Sequence, residues 1–193
     1  HIMGLLSDGG VHSHINHLLS LLDMCKMNEV KKVYIHVFTD GRDTYEKSAK
    51  KYLDILSNKI QELDLGVIAT ISGRYYAMDR DNNFDRLKLA YDAICYGIGK
   101  KYNNYDELIE DNYNNGINDE FFVPGIINSC PVKENDGIIT FNFRKDRLRE
   151  LFTCFTNASE YDDLAKQKNL NLIDYKNLEV LTMFPVTETV KAP

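Results

Sequence analysis

Apolar and polar positions along the chain switch repeatedly between two periods. His1-Ile2-Met3-Gly4-Leu5-Leu6 is a short, nearly continuous apolar run, the mark of a strand buried on both faces. After the Gly9-Gly10 turn, Ile15, Leu18, Leu19 and Leu22 keep helical spacing, with Ser13 as the expected N-cap. The pattern recurs: Val33 to Phe38 predicts a strand, Asp40-Gly41-Arg42-Asp43 a turn, and Ala49, Tyr52, Leu53, Leu56 and Ile60 one face of a helix. Gly66 to Ser72 predicts a third strand, and after a long loop Phe84, Leu87, Tyr91 and Ile94 mark the next helix. A fourth strand, Gly137 to Phe143, leads into a helix with Leu148, Leu151, Phe152 and Phe155 on one face. Strands and helices alternating at these lengths imply βαβ crossovers. The expected class is α/β: a mostly parallel sheet flanked by helices on both faces, a Rossmann-like three-layer domain.

Between Gly97 and Asn118 the chain turns polar and rich in Asn and Tyr, which reads as a surface excursion with one helix, about Tyr105 to Tyr113, and little chemistry. The first strand is already under way at residue 1, and Leu178 to Met183 is again strand-like ahead of a linker-like 185–193. These ends suggest one domain, 1–184, excised from a longer polypeptide, with 185–193 leading toward the rest.

Composition narrows the classes of function. In 193 residues, 44% are hydrophobic and 27% charged, enough for a folded core. The net charge of −6 excludes a general electrostatic grip on nucleic acid or anionic lipid, so any anion site must be local. No apolar run approaches the roughly 20 residues of a membrane span. Cys25, Cys95, Cys130 and Cys154 are scattered without a CxxC pair, which suits a reducing, cytoplasmic setting and a core-filling role.

The candidate chemistry lies in the turns. Ser7-Asp8-Gly9-Gly10-Val11-His12, Asp40 to Thr44, Ser72 to Arg80 and Asn142 to Arg147 each follow a predicted strand, so in a parallel sheet all four share the carboxyl edge, where open α/β folds bind ligands. Only seven arginines occur, against sixteen lysines, and every one lies in or next to these turns: Arg42, Arg74, Arg80, Arg86, Arg144, Arg147 and Arg149. A planar guanidinium grips carboxylate and phosphate at two points where an ammonium cannot, so Arg42, Arg74, Arg80, Arg144 and Arg147 point to a small, multiply charged anion. The alternative is Arg–Asp pairing within the turns, for which Asp8, Asp40, Asp43, Asp79, Asp81, Asp85 and Asp146 supply partners. Arg86 and Arg149 are expected on helix surfaces or in supporting positions. Neither GxxxxGK[ST] nor GxGxxG occurs, which disfavours a nucleotide P-loop or a dinucleotide fingerprint. His12 is read as a ligand-contacting or acid–base residue, with a metal site at His12-Ser13-His14 as the alternative; His14 and His17 are otherwise ordinary helix residues, and His36 a satisfied core histidine.

The motifs LLSDGGVHSH (5–14), DGRDT (40–44), ISGRYYAMDRDN (71–82) and FNFRKDR (141–147), in this order and spacing, resemble the substrate-binding phosphotransferase domain of the cofactor-independent (2,3-bisphosphoglycerate-independent) phosphoglycerate mutases. The resemblance spans nearly the whole chain. It implies an isomerase of glycolysis that interconverts 3-phosphoglycerate and 2-phosphoglycerate through a phosphoserine on a separate phosphatase-like domain. That domain would carry two metal ions, usually Mn²⁺, with none expected in this chain, and the enzyme would be a monomer. By motif position His12, Arg42, Asp43, Arg74, Arg80, Arg144 and Arg147 would hold the phosphoglycerate, with Asp43 accepting or orienting the glycerate hydroxyl proton. The GNSEVGH serine motif is missing, so the chain is expected to bind without turning over. Departures are mild: Tyr45-Glu46 stands where two prolines are usual, Asn83-Phe84 where Arg-Trp is common, and Lys145 where Pro or Ala is usual. Two other functions compete: a stand-alone metal-dependent hydrolase using His12 and His14, and a module that senses a phosphorylated metabolite.

Overall fold

The protein is described by a computed structural model that places residues 1–186, 188 and 190; the rest of the segment 185–193, read above as a linker, lies outside the described residues. Seven strands form one sheet: β1 Ile2–Leu5, β2 Tyr34–Thr39, β3 Val67–Gly73, β4 Lys100–Lys101, β5 Gly125–Ile126, β6 Gly137–Thr140 and β7 Glu179–Leu181, in the order β4-β5-β3-β2-β1-β6-β7. All neighbouring pairs are parallel except β3 with β5. The expected mostly parallel α/β sheet is therefore present. The strands β4 and β5, two residues each, carry no pattern that would have marked them.

Two buried clusters cover the two faces, because successive strand residues point to opposite sides. Ile2 and Leu6 of the first strand segment, with Ile35 and Val37 of β2, pack against α1 (Ile15–Met27), α2 (Ala49–Leu63) and α5 (Tyr105–Asn114). Met3 and Leu5, with Phe38, pack against α4 (Phe84–Tyr96), α6 (Arg149–Thr156) and α7 (Asp162–Gln167). Val186 and Val190 are buried with this second cluster. Cys95 and Cys154 are buried, Cys25 and Cys130 half-buried, and all four are free thiols. His36 is fully buried, with one ring nitrogen 2.9 Å from Thr70 Oγ1 and the other 2.9 Å from His1 Nδ1, as expected of a satisfied core histidine. No helix among the described residues is long and apolar enough to cross a membrane.

Two local expectations are corrected. The N-cap of α1 is His14, whose Nδ1 accepts the Asn16 N–H at 3.2 Å, not Ser13. The Ser13 hydroxyl is buried and donates to the Leu5 carbonyl, so it ties the turn to the end of β1 instead of capping a helix. The polar stretch from 97 to 118 is not merely a surface excursion. Leu108 and Ile109 of α5 are buried against α2, and the chain leaving α5 delivers Asp119, Glu120 and Phe121 to the carboxyl edge of the sheet. Asp119 Oδ2 accepts the N–H groups of Ser48 and Ala49, each at 2.7 Å, and so caps α2 from 70 residues away.

Candidate functional site

The turns after β1, β2, β3 and β6 converge at the carboxyl edge. Asn142 closes the β1–β6 ladder by accepting the Leu5 N–H on Oδ1 at 2.9 Å, and the N–H groups of Phe143 and Arg144 donate to the His12 carbonyl at 2.8 and 3.2 Å. The first and last motifs are thus bound to each other through the backbone. In the β2 turn, buried Asp40 acts as an organising acceptor: Oδ1 takes the N–H groups of Arg42 and Asp43, at 3.3 and 3.0 Å, and Oδ2 takes the Ser7 hydroxyl at 2.6 Å. Burial works against its charge, but the Ser7 hydroxyl, the Asp43 N–H and Arg74 outweigh it and hold the carboxyl below its ordinary range. Gly41 sits at φ 65°, and a Cβ there would come within 2.7 Å of the Glu120 nitrogen, so both its conformation and its neighbour require glycine.

Arg74, the first residue of α3 (Arg74–Ala77), is 2% exposed. Its Nη1 donates to Asp40 Oδ1 at 2.8 Å and to Asp43 Oδ2 at 2.6 Å, leaving Nε and Nη2 without a hydrogen bond among the described residues. His12 is buried between two carboxylates, its Nε2 3.9 Å from Asp43 and its Nδ1 3.8 Å from Asp146. Burial, and then the Arg74 charge, lower its pKa to about 4. His12 is therefore a neutral imidazole at pH 7, offering one donor and one acceptor.

The structure brings the sequence-selected residues together in two groups joined by Asp43. Arg42, Arg74 and Arg147 line a cavity of about 260 Å³ with Asp79, Asp81, Glu120, Tyr75 and Phe121. Arg80 and Arg144 do not line it; they meet at Asp146 beside His12, at 2.9 Å each. Pairing between arginines and carboxylates is real: Arg42 lies 3.2 Å from Glu120, and Arg74 binds Asp40 and Asp43. Arg147 differs. Its Nη1 donates to the Met78 carbonyl at 3.0 Å, and it forms no ion pair among the described residues. Burial, followed by the charges of Arg74, Arg80 and Arg42, pushes its pKa down, the mark of cations crowded without enough counter-charge. Arg42, Arg80 and Arg144 have side chains 58%, 45% and 48% exposed, so their present carboxylate contacts can be exchanged for an incoming anion at little cost.

Several residues here escaped the sequence reading. Arg86, expected on a helix surface or in support, lines the same cavity, its guanidinium 3.9 Å above the Tyr75 ring and 3.5 Å from Asp79. Glu120 and Phe121 arrive from the polar stretch, and only the apolar pair Phe121-Phe122 after it hinted that the chain returns to the core. Asn83, in place of a possible cation, donates through Nδ2 to Asp79 Oδ1 at 3.1 Å and steadies the loop. Tyr45 is exposed. The residues do not fit a metal: His14 Nδ1 serves as a helix cap, and no group of three or more His, Cys, Asp or Glu side chains is placed to hold an ion among the described residues.

Fold and edge together define an α/β domain whose carboxyl edge is lined by arginines. Over residues 1–184 the chain matches the family described as BPG-independent PGAM N-terminus, and it belongs to that family. It is 47% identical over 193 residues to the 2,3-bisphosphoglycerate-independent phosphoglycerate mutase of Clostridioides difficile (strain 630), covering 97% of this chain and 36% of that protein. It is also 47% identical over 188 residues to the protein of the same name from Listeria monocytogenes serotype 4b (strain F2365), covering 95% and 36%. The chain thus spans just over a third of the length of these relatives. Its fold is similar to that of a Leishmania mexicana phosphoglycerate mutase, solved at low cobalt concentration, with a TM-score of 0.82 at 24% identity over 95% of this chain and 35% of the other.

Proposed function

We propose that this chain is the substrate-binding part of a phosphoglycerate mutase, an isomerase of glycolysis that interconverts 3-phosphoglycerate and 2-phosphoglycerate. The observation that carries this reading is Arg147, a half-buried guanidinium without an ion-pair partner among the described residues, set among Arg42, Arg74 and Arg86 on one small cavity. Phosphate and carboxylate oxygens are the groups that such forks hold at two points each.

In this reading the phosphoserine and the two metal ions belong to residues outside this chain, and the chain alone binds without turning over. Arg42, Arg74 and Arg147 clamp one anionic end of the glycerate, while Arg80 and Arg144 swing from Asp146 to the other. Asp43, held in place by Arg74, lies between the two ends and orients a glycerate hydroxyl, with neutral His12 as the neighbouring donor or acceptor. The exchanging phosphoryl group spreads negative charge over its oxygens, and preorganised guanidinium groups stabilise it without reorganising. The four free cysteines are in keeping with a reducing, cytoplasmic setting.

In a polypeptide of the relatives' full length, Arg144→Ala should lower kcat/KM at least tenfold. Thermal stability should be almost unchanged, because a half-exposed pair such as Arg144–Asp146 contributes only about 0–1 kcal/mol. Steady-state kinetics and a melting curve check both, and wild-type kinetics in this variant would sink the assignment.

A further inference from the structure

Glu150, on α6, is fully buried beneath the loop that follows α3. Its Oε1 accepts the Asn82 N–H at 2.9 Å. Its Oε2 is buried and, as a carboxylate oxygen, has no hydrogen-bond partner among the described residues. A second buried carboxyl, Asp79, lies beside the Glu150 side chain and couples to it. Asp79 already accepts three hydrogen bonds and keeps room for a fourth on Oδ1: Oδ2 accepts the N–H groups of Asp81 and Asn83, at 3.0 and 2.8 Å, and Oδ1 accepts Asn83 Nδ2. Two adjacent buried carboxyl groups do not both ionise at low cost. The donors keep the charge on Asp79, so the proton resides on Glu150, and a protonated Oε2 becomes a donor facing an acceptor. That single proton satisfies the orphaned oxygen.

The loop pinned in this way, residues 79–83, carries Arg80 and Asp81 to the arginine edge. We propose that Glu150 is a positioning residue for the arginine site: protonated, it donates to Asp79 and accepts from Asn82, fixing the loop that presents Arg80, and loss of its proton releases that loop. This rests on the reading of the edge as an anion site. The ionisable groups facing Glu150 are Asp79 from the loop, Arg149 and the Cys154 thiol from its own helix, and Tyr161 from the turn after it. Arg86 of α4 reaches Asp79 at 3.5 Å. Burial pushes the Glu150 carboxyl up to about 7, against the Asn82 N–H and with the help of the Asp79 charge. Because the folded-state pKa lies above the unfolded one, this contribution to stability is full below the unfolded carboxyl range and is lost as pH rises through about 7.

Glu150→Gln keeps a donor and an acceptor in nearly the same shape but cannot ionise. The test compares the 193-residue chain with this variant from pH 5 to 8.5, by thermal melting without ligand and by calorimetric titration with 3-phosphoglycerate. Taking the ratio of Kd values cancels the ionisation of the phosphate itself. The melting-temperature advantage of the variant over the wild type should be at least about 4 °C larger at pH 8 than at pH 5. The ratio of wild-type to variant Kd should rise at least threefold between pH 6 and 8.5. A melting difference that stays flat with pH overturns the shared proton. A melting difference that grows while the Kd ratio stays constant overturns the positioning role. If neither protein binds but the melting difference grows, the anion-site reading and the positioning role fall together, and the carboxyl pair alone stands.

Discussion

Arg74→Ala is expected to lower the melting temperature by about 6–12 °C and to abolish anion binding. Removing one partner of a buried ion pair costs roughly 3–5 kcal/mol, because the other charge is left in the interior without compensation. Here the abandoned group is Asp40, which keeps the Ser7 hydroxyl and two backbone N–H donors, so the lower end of that range applies. About 3 kcal/mol corresponds to that temperature shift in a domain of roughly 150–250 residues. Binding is lost for a separate reason. Arg74 fixes Asp43 at 2.6 Å, and without it that carboxylate turns toward the cavity as an unpaired negative charge where an anion must enter. Arg74→Lys should recover much of the stability, through a single ammonium between the two carboxylates, but not the binding, since the free Nε and Nη2 donors are gone. Melting curves and titrations of the two variants check this, and an alanine variant that melts within 2 °C of wild type, a margin of under about 1 kcal/mol, would contradict it.

The second large effect is expected from a methyl group. A Cβ on Gly73 would lie 2.3 Å from the Glu120 carbonyl oxygen and 2.6 Å from the Phe122 nitrogen. Both are backbone atoms, so no side chain can rotate away, and Gly73 N–H already donates to the Phe122 carbonyl at 2.7 Å. Gly73→Ala must therefore push segment 119–122 off the sheet edge. Overpacking of this kind costs about 1–3 kcal/mol, and the shift also draws Asp119 away from the start of α2 and Glu120 and Phe121 out of the cavity wall. The expected result is a destabilisation near the top of that range with anion affinity down at least tenfold. Gly137→Ala is the matched control: it meets nothing within 4 Å, and its stability should stay within about 0.5 kcal/mol of wild type. Denaturant unfolding of both variants reads the difference, and equal midpoints would show that the close approach at Gly73 is not a constraint.

The parts of the fold that were legible in the sequence are those fixed by period. Ile2, Met3 and Leu5 in one short apolar run, and Leu53 with Leu56 on α2, mark a strand buried on both faces and one face of a helix, because continuous apolar runs and helical spacing report burial directly. The four turns were legible because they follow such strands, and a parallel sheet then forces them to one edge. What escaped depends on partners distant in the chain. Nothing near Ser48 reveals that the cap of α2 is Asp119, and the two-residue β5 has too few positions to show a period. Ser13 is a good capping residue by type, but the Leu5 carbonyl has claimed its hydroxyl. Arg86 looks like a helix-surface cation until Tyr75 is seen beneath it. Glu150 carries no signal in the sequence that would single it out, because its role comes from burial beside Asp79, a residue distant in the chain.

Chemical logic at the edge follows from the same geometry. The edge is not an open basin of positive charge: Arg42, Arg74, Arg80, Arg86 and Arg144 are already paired with Asp40, Asp43, Asp79, Asp146 and Glu120, whereas Arg147 is not paired among the described residues. Under the proposed function, an incoming polyanion engages Arg147 first and then draws the exposed Arg42, Arg80 and Arg144 from their carboxylates. The buried Arg74 pair would stay in place as the fixed reference.

The most direct measurement is calorimetric titration of the 193-residue chain with 3-phosphoglycerate in metal-free buffer, repeated with Arg147→Ala. Saturable binding at one site, weakened at least tenfold in the variant while its melting temperature is retained, is the predicted result. No heat of binding at millimolar ligand in the wild-type chain, or equal affinity in the variant, would contradict a preformed phosphoglycerate site at this edge.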